Sequence, residues 1–426
     1  MTEYSTPILD DLHRSPRHSS EVYRGRWMHL LVFLLSCLLV LLFLEGSCAA
    51  FFTLFHDRFT FADPKVFVLE ESKLKKAKTA FHAEYGWMRY YKTPFGERPR
   101  GEQYQRPLLA TYGDSYTHCD QVQHAETYQT FLGRRLQADV YNFGVGGFGT
   151  GQALLRFQRE FPQLNTPLVA LGFITENINR VVNVYRKYYY PKTALSIPKP
   201  RFILKDDSLT LLPNPIANKE DLKKLLDPTF VRSLGEHDYW YQKEHNYPLL
   251  QFPYSKILFN ANLWRELQYQ RTASVNDVTP RPWEDLWQEE KARGIMFRLF
   301  DRFAQRSKEL GSIPLFFLMP RKEEIRARIH GEVLPDALLI SNFFDQRNYY
   351  YFDAIDYFAS IVSEEELSSL YNGHLSPKGN KLLARGLHKF LKEKGLLRKV
   401  GVYGPRLYKQ QRQQVLETKP VGDALE

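Results

Sequence analysis

Short, mainly apolar runs alternate with longer amphipathic stretches from residue 108 onward. The run Pro167–Phe173 has no polar alternate positions, as expected of a strand covered on both faces of a sheet. The short runs predict five strands: the run from Leu108 to Gly113-Asp114-Ser115, Ala138–Asn142, Pro167–Phe173, Ile313–Met319 and Asn348–Phe352.

Amphipathic stretches between these runs predict helices. One helix is expected to follow the first strand and to continue up to Leu136. Another ends before Gly311, and its apolar face comprises Ile295, Met296, Leu299, Phe300 and Phe303. The last begins with Ser376 as its N-cap and Pro377 in its first turn. Alternating strands and helices predict an α/β fold with a parallel sheet between layers of helices.

The stretch 181–282 interrupts this alternation and is too long for a simple crossover. It contains hairpin-like alternation within 198–212 and the aromatic cluster Tyr239-Trp240-Tyr241. We interpret it as an insertion whose aromatic residues either form local core or stack on sugars or lipid. The predicted organisation is a cytoplasmic tail (1–26), a membrane helix (27–45), a stalk with lead-in (46–105), the α/β domain (106–400) and a polar C-terminal tail (401–426).

An almost continuous apolar run, Trp27–Leu44, precedes the domain. Its roughly 18 residues reach about 27 Å as a helix, enough for a bilayer core. A helix buried in a soluble domain is rarely apolar on every face. The arginines before the run place the N-terminus in the cytoplasm and the domain outside. A cleaved signal peptide is the alternative, because Ser47-Cys48-Ala49-Ala50 offers small residues for cleavage.

The composition narrows the expected partners. The 426-residue chain is 43% hydrophobic and has a formal net charge of +10. That charge suits an acidic polymer or an anionic membrane surface. Nucleic acid is not an expected partner, because the sequence has neither a zinc-finger spacing nor an aromatic RNA-binding motif. The three cysteines lack metal-ligand spacing, so no metal site is expected.

Two polar blocks follow the first two predicted strands. Gly113-Asp114-Ser115 ends the first, and a glycine-rich block, 142–150, follows the second. A serine at a strand-to-helix turn has its hydroxyl exposed at the sheet edge, where a nucleophile would be placed. Glycines let backbone N–H groups approach a ligand closely. Each block alone is equally compatible with an ordinary turn.

Two further blocks lie on later strand ends. Thr175–Arg180 follows the third strand, and its Asn177 could point an amide at an oxyanion or simply cap a helix. His374 lies just ahead of the last helix and is a candidate base for a serine exposed on the first strand. Because sites in parallel sheets form beyond the carboxyl ends of the strands, all four blocks are expected to contribute to one site.

In this order and on these strand ends, the four blocks resemble the SGNH (GDSL-type) hydrolase family. The resemblance covers roughly 108–180 and 312–391, and leaves the insertion and the membrane segment outside. It implies a flavodoxin-like three-layer α/β/α sandwich. It also implies hydrolysis or transfer of an acyl group through a serine ester, with no metal or organic cofactor.

The resemblance assigns roles to residues that match the family's motifs. Ser115 would be the nucleophile and His374 the general base. The oxyanion hole would combine the Ser115 N–H with Gly147 and Asn177, and Gly144 is the alternative glycine.

The sequence departs from the family pattern at the group that would orient His374. Tyr371 stands three residues before it, where the family often has aspartate. The candidates are Asn372, which is the nearest amide, and Asp353 and Asp356, which follow the last predicted strand. A Ser-His dyad without a third member is the alternative.

We therefore expect a single-pass protein of a bacterial inner membrane with its catalytic domain outside the cytoplasm. The expected reaction is attack of Ser115 on an acyl ester, most simply acetyl, of an envelope glycan, with water or a sugar hydroxyl as acceptor. Alternatives are a lipid or small-ester hydrolase, and a non-catalytic glycan-binding protein or scaffold on the same fold. Membrane partner proteins would contact 27–45.

Overall fold

The computed structural model describes residues 17–54, 67–190, 193–245, 252–259 and 283–401. These residues fall into two compact units. The first contains helix α1 (Arg17–Leu54) and the 3₁₀ helix Tyr254–Phe259. The second is the α/β domain. Most of the predicted C-terminal tail, from 402 on, and residues 1–16 lie outside the described part of the chain.

Within α1, the segment Arg26–Leu54 is the one helix among the described residues that is long and apolar enough to cross a membrane. Its apolar side chains from Trp27 to Phe43 are exposed on every face. The helix extends beyond both ends of the predicted span, 27–45. Glu45, at the end of the apolar run, accepts a hydrogen bond from the backbone N–H of Ser255 at 3.1 Å.

The domain has strands in the predicted places. In chain order, the strands within the described residues are β1 (Phe81–His82), β2 (Gly86–Trp87), β3 (Pro107–Gly113), β4 (Asp139–Gly144), β5 (Leu168–Phe173), β6 (Arg201–Lys205), β7 (Ser208–Leu212), β8 (Ile313–Leu318), β9 (Tyr350–Asp353), β10 (Tyr371–Asn372) and β11 (His374–Leu375). The five predicted strands are β3, β4, β5, β8 and β9, each within about two residues of its expected limits.

The α-helices after α1 are α2 (Glu71–Ala80), α3 (Ser115–His118), α4 (Tyr128–Leu136), α5 (Thr150–Leu164), α6 (Asn177–Val181), α7 (Pro228–Ser233), α8 (Tyr239–His245), α9 (Glu290–Glu309), α10 (Lys322–Ile329), α11 (Pro335–Arg347), α12 (Ala354–Ala359), α13 (Glu364–Leu367), α14 (Pro377–Glu393) and α15 (Leu396–Lys399). The predicted caps of α14 are present: Ser376 Oγ accepts the Gly379 N–H at 3.3 Å, and Pro377 occupies the first turn.

The central sheet has the order β4-β3-β5-β8-β9, and every neighbouring pair is parallel. This is the 2-1-3-4-5 order of flavodoxin-like folds. Helices α5 and α9 pack together on the face that carries Tyr112 and Phe316. Helices α4 and α14 pack together on the other face, where Gln129 bonds Thr111. The three-layer α/β/α sandwich is confirmed.

One helix prediction was wrong. The stretch from Ser115 to Leu136 is not one helix but the single turn α3, a 3₁₀ turn (His124–Glu126) and α4. Cys119 adopts a left-handed conformation with φ of +64° and ends α3, and the side chain of Thr127 caps α4. An apolar periodicity does not reveal such a break.

The predicted stalk and lead-in, 46–105, divides between two structures. Its first residues continue α1, whereas its second half packs into the domain. Tyr85 and Trp87 are fully buried, and the Arg98 N–H bonds the Asn142 carbonyl at 2.8 Å. In the insertion, β6 and β7 form the expected hairpin, and Trp240 and Tyr241 are buried, so these two aromatics belong to the core.

Candidate active site

The turn after β3 places Ser115 above the ends of two strands. Thr117 packs so tightly there that a Cβ on Gly113 would lie 2.2 Å from its Oγ1, which explains the glycine. The buried Asp114 side chain accepts the Tyr116 N–H at 2.9 Å and caps α3. Ser115 is therefore the first residue of a helix that begins at the carboxyl edge of the sheet, as the strand-to-helix turn predicted.

Ser115 and His374 meet at this edge. Ser115 Oγ lies 2.8 Å from His374 Nε2, although 258 residues separate the two in the chain. His374 is in β11, directly before α14, and its ring lies against the Tyr116 ring with centroids 4.7 Å apart. The distance is that of a hydrogen bond between a nucleophile and its base.

The glycine-rich block forms a loop beside Ser115. Its start is fixed by the Val145 N–H, which bonds the Gly113 carbonyl at 3.0 Å. Gly147 has φ of +78°, and its carbonyl accepts Arg186 Nη1 at 3.1 Å. Its N–H donates to none of the residues that the structure describes. Gly147 therefore keeps a free donor.

Gly144 does not keep a free donor. Its N–H donates to Asn142 Oδ1 at 3.0 Å, and a Cβ on Gly144 would lie 2.2 Å from the backbone nitrogen of His118. Close packing of α3 against β4 accounts for this glycine. Of the two predicted glycines, the structure leaves Gly147 as the candidate for the oxyanion hole.

Asn177 begins α6 and is 1% exposed. Its carboxamide oxygen has no hydrogen-bond partner among the described residues. Buried polar groups are nearly always paired, so an unpaired amide here is unusual for a purely structural residue. A carboxamide without a partner is free to turn its NH₂ group toward a ligand.

Arg180 joins three of the four polar blocks. Its guanidinium contacts Asp114 Oδ2 at 3.4 Å, the Phe148 carbonyl at 2.8 Å and Glu176 Oε2 at 2.6 Å. All three charged side chains are buried. Arg180 therefore fixes the serine turn, the glycine loop and the asparagine block relative to one another.

The predicted residues for orienting His374 do not reach it. Asp353 caps α12 through the N–H groups of Ile355 and Asp356, and Asp356 pairs with Arg328 at 2.7 Å. Asn372 is the backbone partner of His374 in the β10–β11 pair, and its side chain is exposed. His374 Nδ1 is buried and has no partner within the described residues.

Asp120, a carboxylate that the sequence analysis missed, lies near the site on the segment that follows Ser115. Asp120 Oδ1 is 2.5 Å from His118 Nδ1 and 3.7 Å from Arg89. His118 Nε2 pairs with the Tyr91 hydroxyl at 2.7 Å. The left-handed turn at Cys119 and the lead-in residues create this cluster, and neither follows from a motif in the sequence.

Burial sets the protonation of the site. It lowers the pKa of His374, and Asp120 opposes that shift. His374 is therefore neutral at physiological pH, as a general base must be. Burial also raises the pKa of Asp114, against the opposing effects of Arg180 and the Tyr116 N–H.

Comparisons with known proteins return structural matches only. No protein-family model and no curated protein sequence matches the chain. Among solved structures, a lipolytic protein of the G-D-S-L family from Desulfitobacterium hafniense DCB-2 is 11% identical. The match covers 67% of this chain and 100% of that one, with a TM-score of 0.31.

Two further matches are esterases. An acetylxylan esterase from Geobacillus stearothermophilus, solved as a catalytic mutant, is 13% identical, covering 72% of this chain and 96% of that one with a TM-score of 0.32. The psychrotrophic esterase EstA from Pseudoalteromonas sp. is 10% identical, with 68% and 98% covered and a TM-score of 0.30. The structural neighbours of this chain are thus G-D-S-L lipolytic proteins and esterases.

Proposed function

We propose that the chain is a serine esterase or O-acyltransferase in which Ser115 forms an acyl-enzyme with an ester substrate. The observation that carries the proposal is the 2.8 Å contact between Ser115 Oγ and His374 Nε2 at the carboxyl edge of the sheet. A serine hydroxyl is a weak nucleophile without a base within hydrogen-bond reach, and His374 is such a base.

The reaction has two balanced halves. Ser115 Oγ attacks the ester carbonyl as its proton moves to His374 Nε2, and the tetrahedral intermediate expels the alcohol, which takes that proton. The acceptor, water or a sugar hydroxyl, then gives its proton to His374 and attacks the acyl-serine, and His374 returns that proton to Ser115 Oγ as the serine is released. Water yields an acid, and a sugar hydroxyl yields a new ester.

The oxyanion of each tetrahedral intermediate would be held by three donors. They are the N–H groups of Ser115 and Gly147 and the carboxamide of Asn177. The free Gly147 N–H and the unpaired Asn177 amide support this assignment. Loss of one preorganised donor typically costs about 3–4 kcal/mol of transition-state stabilisation.

The substrate we propose is an acetylated glycan of a bacterial envelope. The apolar helix 27–45 would anchor the chain in the inner membrane, with its N-terminus in the cytoplasm and Ser115 outside. The net charge of +10 supports an acidic or membrane-associated polymer. A lipid or small-ester hydrolase is the second candidate, because the same Ser-His pair serves any accessible ester.

To test this proposal, full-length protein in detergent is incubated with 4-nitrophenyl acetate as the acyl donor and an unacetylated oligosaccharide as the acceptor. Acetate and acetylated sugar are then measured by mass spectrometry. Acetylated sugar identifies a transferase, and acetate alone identifies an esterase. Ser115→Ala should abolish both products, whereas Ser341→Ala, which alters a half-buried serine on α11, should not. Equal turnover by Ser115→Ala and the wild type would contradict the proposal and favour a binding protein or scaffold.

A further inference from the structure

The His374 imidazole has one nitrogen without a partner. Because Nε2 accepts the Ser115 hydroxyl, Nδ1 carries the proton of the neutral ring. Nδ1 is buried and unpaired among the described residues. A buried, unpaired N–H is energetically unfavourable, and the positive imidazolium formed during catalysis needs a compensating group even more.

Asp120 lies close to the His374 turn, although among the described residues it forms no direct pair with the His374 ring. It follows Ser115 by five residues, and a Cβ on Gly146 would lie 2.8 Å from its Oδ2. The next residue, Gln121, lies against the turn before the histidine, since a Cβ on Gly373 would be 3.0 Å from its Nε2. The segment 120–121 therefore runs between the glycine loop and the turn that carries His374.

The His118 side chain holds the Asp120 carboxylate in place. His118 is 0% exposed, and its Nδ1–H donates to Asp120 Oδ1 while Nε2 accepts the Tyr91 hydroxyl. Burial lowers the pKa of His118, so its ring is neutral and does not cancel the carboxylate charge. Arg89, at 3.7 Å, is mostly exposed and is screened by solvent.

Among the charged groups around His374, one carboxylate favours its protonated form. The groups that act on its pKa are Asp120, which raises it, and Arg180 and His118, which lower it, and the uncharged Tyr116 ring packs on its face. Burial disfavours the charged form of Asp120, but the hydrogen bond that it accepts from the His118 N–H holds its pKa below the ordinary value. Asp120 is therefore ionised when His374 acts.

We propose that Asp120, held by His118, is a positioning carboxylate whose negative charge stabilises protonated His374. It would replace the aspartate that is expected three residues before the histidine, where this chain has Tyr371. The inference rests on the proposed acyl-transfer function. Asp120 stays ionised throughout: the proton passes from Ser115 Oγ to His374 Nε2 and on to the leaving alcohol, and no bond to Asp120 forms or breaks.

The test is the pH dependence of kcat/KM for 4-nitrophenyl acetate in full-length Asp120→Asn. Asparagine keeps an acceptor for the His118 N–H and removes the charge. We expect kcat/KM on the plateau to fall about tenfold or more. The acidic limb should move to lower pH, because without Asp120 the imidazolium loses its proton more readily. Asp120→Glu, which restores the charge, should return the limb toward the wild-type position.

Asp356→Asn is the matched control, since it removes an exposed carboxylate that is closer to His374 in sequence. A structural role for Asp120 would lower activity or thermal stability without moving the limb. An unmoved limb in Asp120→Asn, with an active wild type, overturns the inference and leaves the proposed function intact. An inactive, folded wild type refutes the proposed function itself. If the Asn variant does not fold, Asp120→Ser is measured instead, with the same two outcomes.

Discussion

At the scale of single residues, Arg180 explains how separate loops form one site. Its guanidinium lies between the buried carboxylates of Asp114 and Glu176 and also bonds the Phe148 carbonyl. A planar guanidinium with several donors can serve three acceptors at once, which a lysine could not do in the same geometry. The positions of Ser115, Gly147 and Asn177 therefore depend on a residue that takes no part in the chemistry.

Replacing this arginine should be costly. Arg180→Met leaves Asp114 and Glu176 buried without a cation, and we expect the free energy of unfolding to fall by about 3–5 kcal/mol. Urea denaturation of the full-length protein measures this. Arg134→Met, which breaks the exposed pair with Glu102, should have a much smaller effect. Similar losses in the two variants would contradict the role given to Arg180.

The sequence predicted Ser115 and His374 as site residues because each belongs to a motif that follows a predicted strand. It could not identify Asp120, because the approach of that carboxylate depends on the left-handed backbone at Cys119 and on Tyr91 and Arg89 from the lead-in. The same reasoning proposed Asp353 and Asp356 from proximity in sequence. The structure uses the first as a helix cap and the second in a surface ion pair.

At the scale of secondary-structure elements, β10 and β11 matter most for the site. The two short strands pair Asn372 with His374 across Gly373, whose φ is +76°. This tight turn sets the direction of the His374 side chain just before α14. The buried strands were predictable because continuous apolar runs mark them, whereas two-residue strands such as these leave no periodicity.

The turn at Gly373 can be tested against a second glycine. Both Gly373→Ala and Gly311→Ala place alanine at a positive φ, so each should cost about 1–2 kcal/mol of stability. A Cβ at Gly311 meets nothing within 4 Å, but one at Gly373 presses on Gln121 beside His374. Ester turnover should therefore fall several-fold more in Gly373→Ala than in Gly311→Ala. Equal turnover in the two folded variants would show that the turn at Gly373 does not determine the direction of the His374 side chain.

At the scale of the whole molecule, the chain combines an apolar helix with an α/β domain. The run Trp27–Leu44 predicts the apolar helix, and the alternating runs from residue 108 onward predict the α/β domain. The place of Tyr254–Phe259 in the same unit as α1 was not predicted, because the sequence assigns these residues to the insertion. The part played by the lead-in was not predictable, since no motif or periodicity around Trp87 indicates its partner, the Gly146 carbonyl, which accepts its indole N–H at 3.0 Å. Residues that look like a stalk thus support the glycine loop.

The anchor proposal predicts how the chain fractionates. Full-length protein expressed in bacteria should stay with membranes through high-salt and alkaline carbonate washes, because about 18 apolar residues insert stably. A variant lacking residues 1–52 should be released, and one in which an unrelated apolar span replaces Trp27–Leu44 should be retained. A soluble product whose N-terminus lies near Ala49 would instead support the signal-peptide alternative.

The central claim is that Ser115 is an activated nucleophile, and a fluorophosphonate probe tests it most directly. Such a probe reacts covalently with a serine whose base lies within hydrogen-bond reach. We predict stoichiometric labelling of full-length protein at Ser115, located by peptide mass spectrometry. Labelling should be lost in Ser115→Ala and His374→Ala and retained in His330→Ala, whose histidine is on the surface. Absence of labelling in the folded protein, or labelling that persists in Ser115→Ala, would contradict the account.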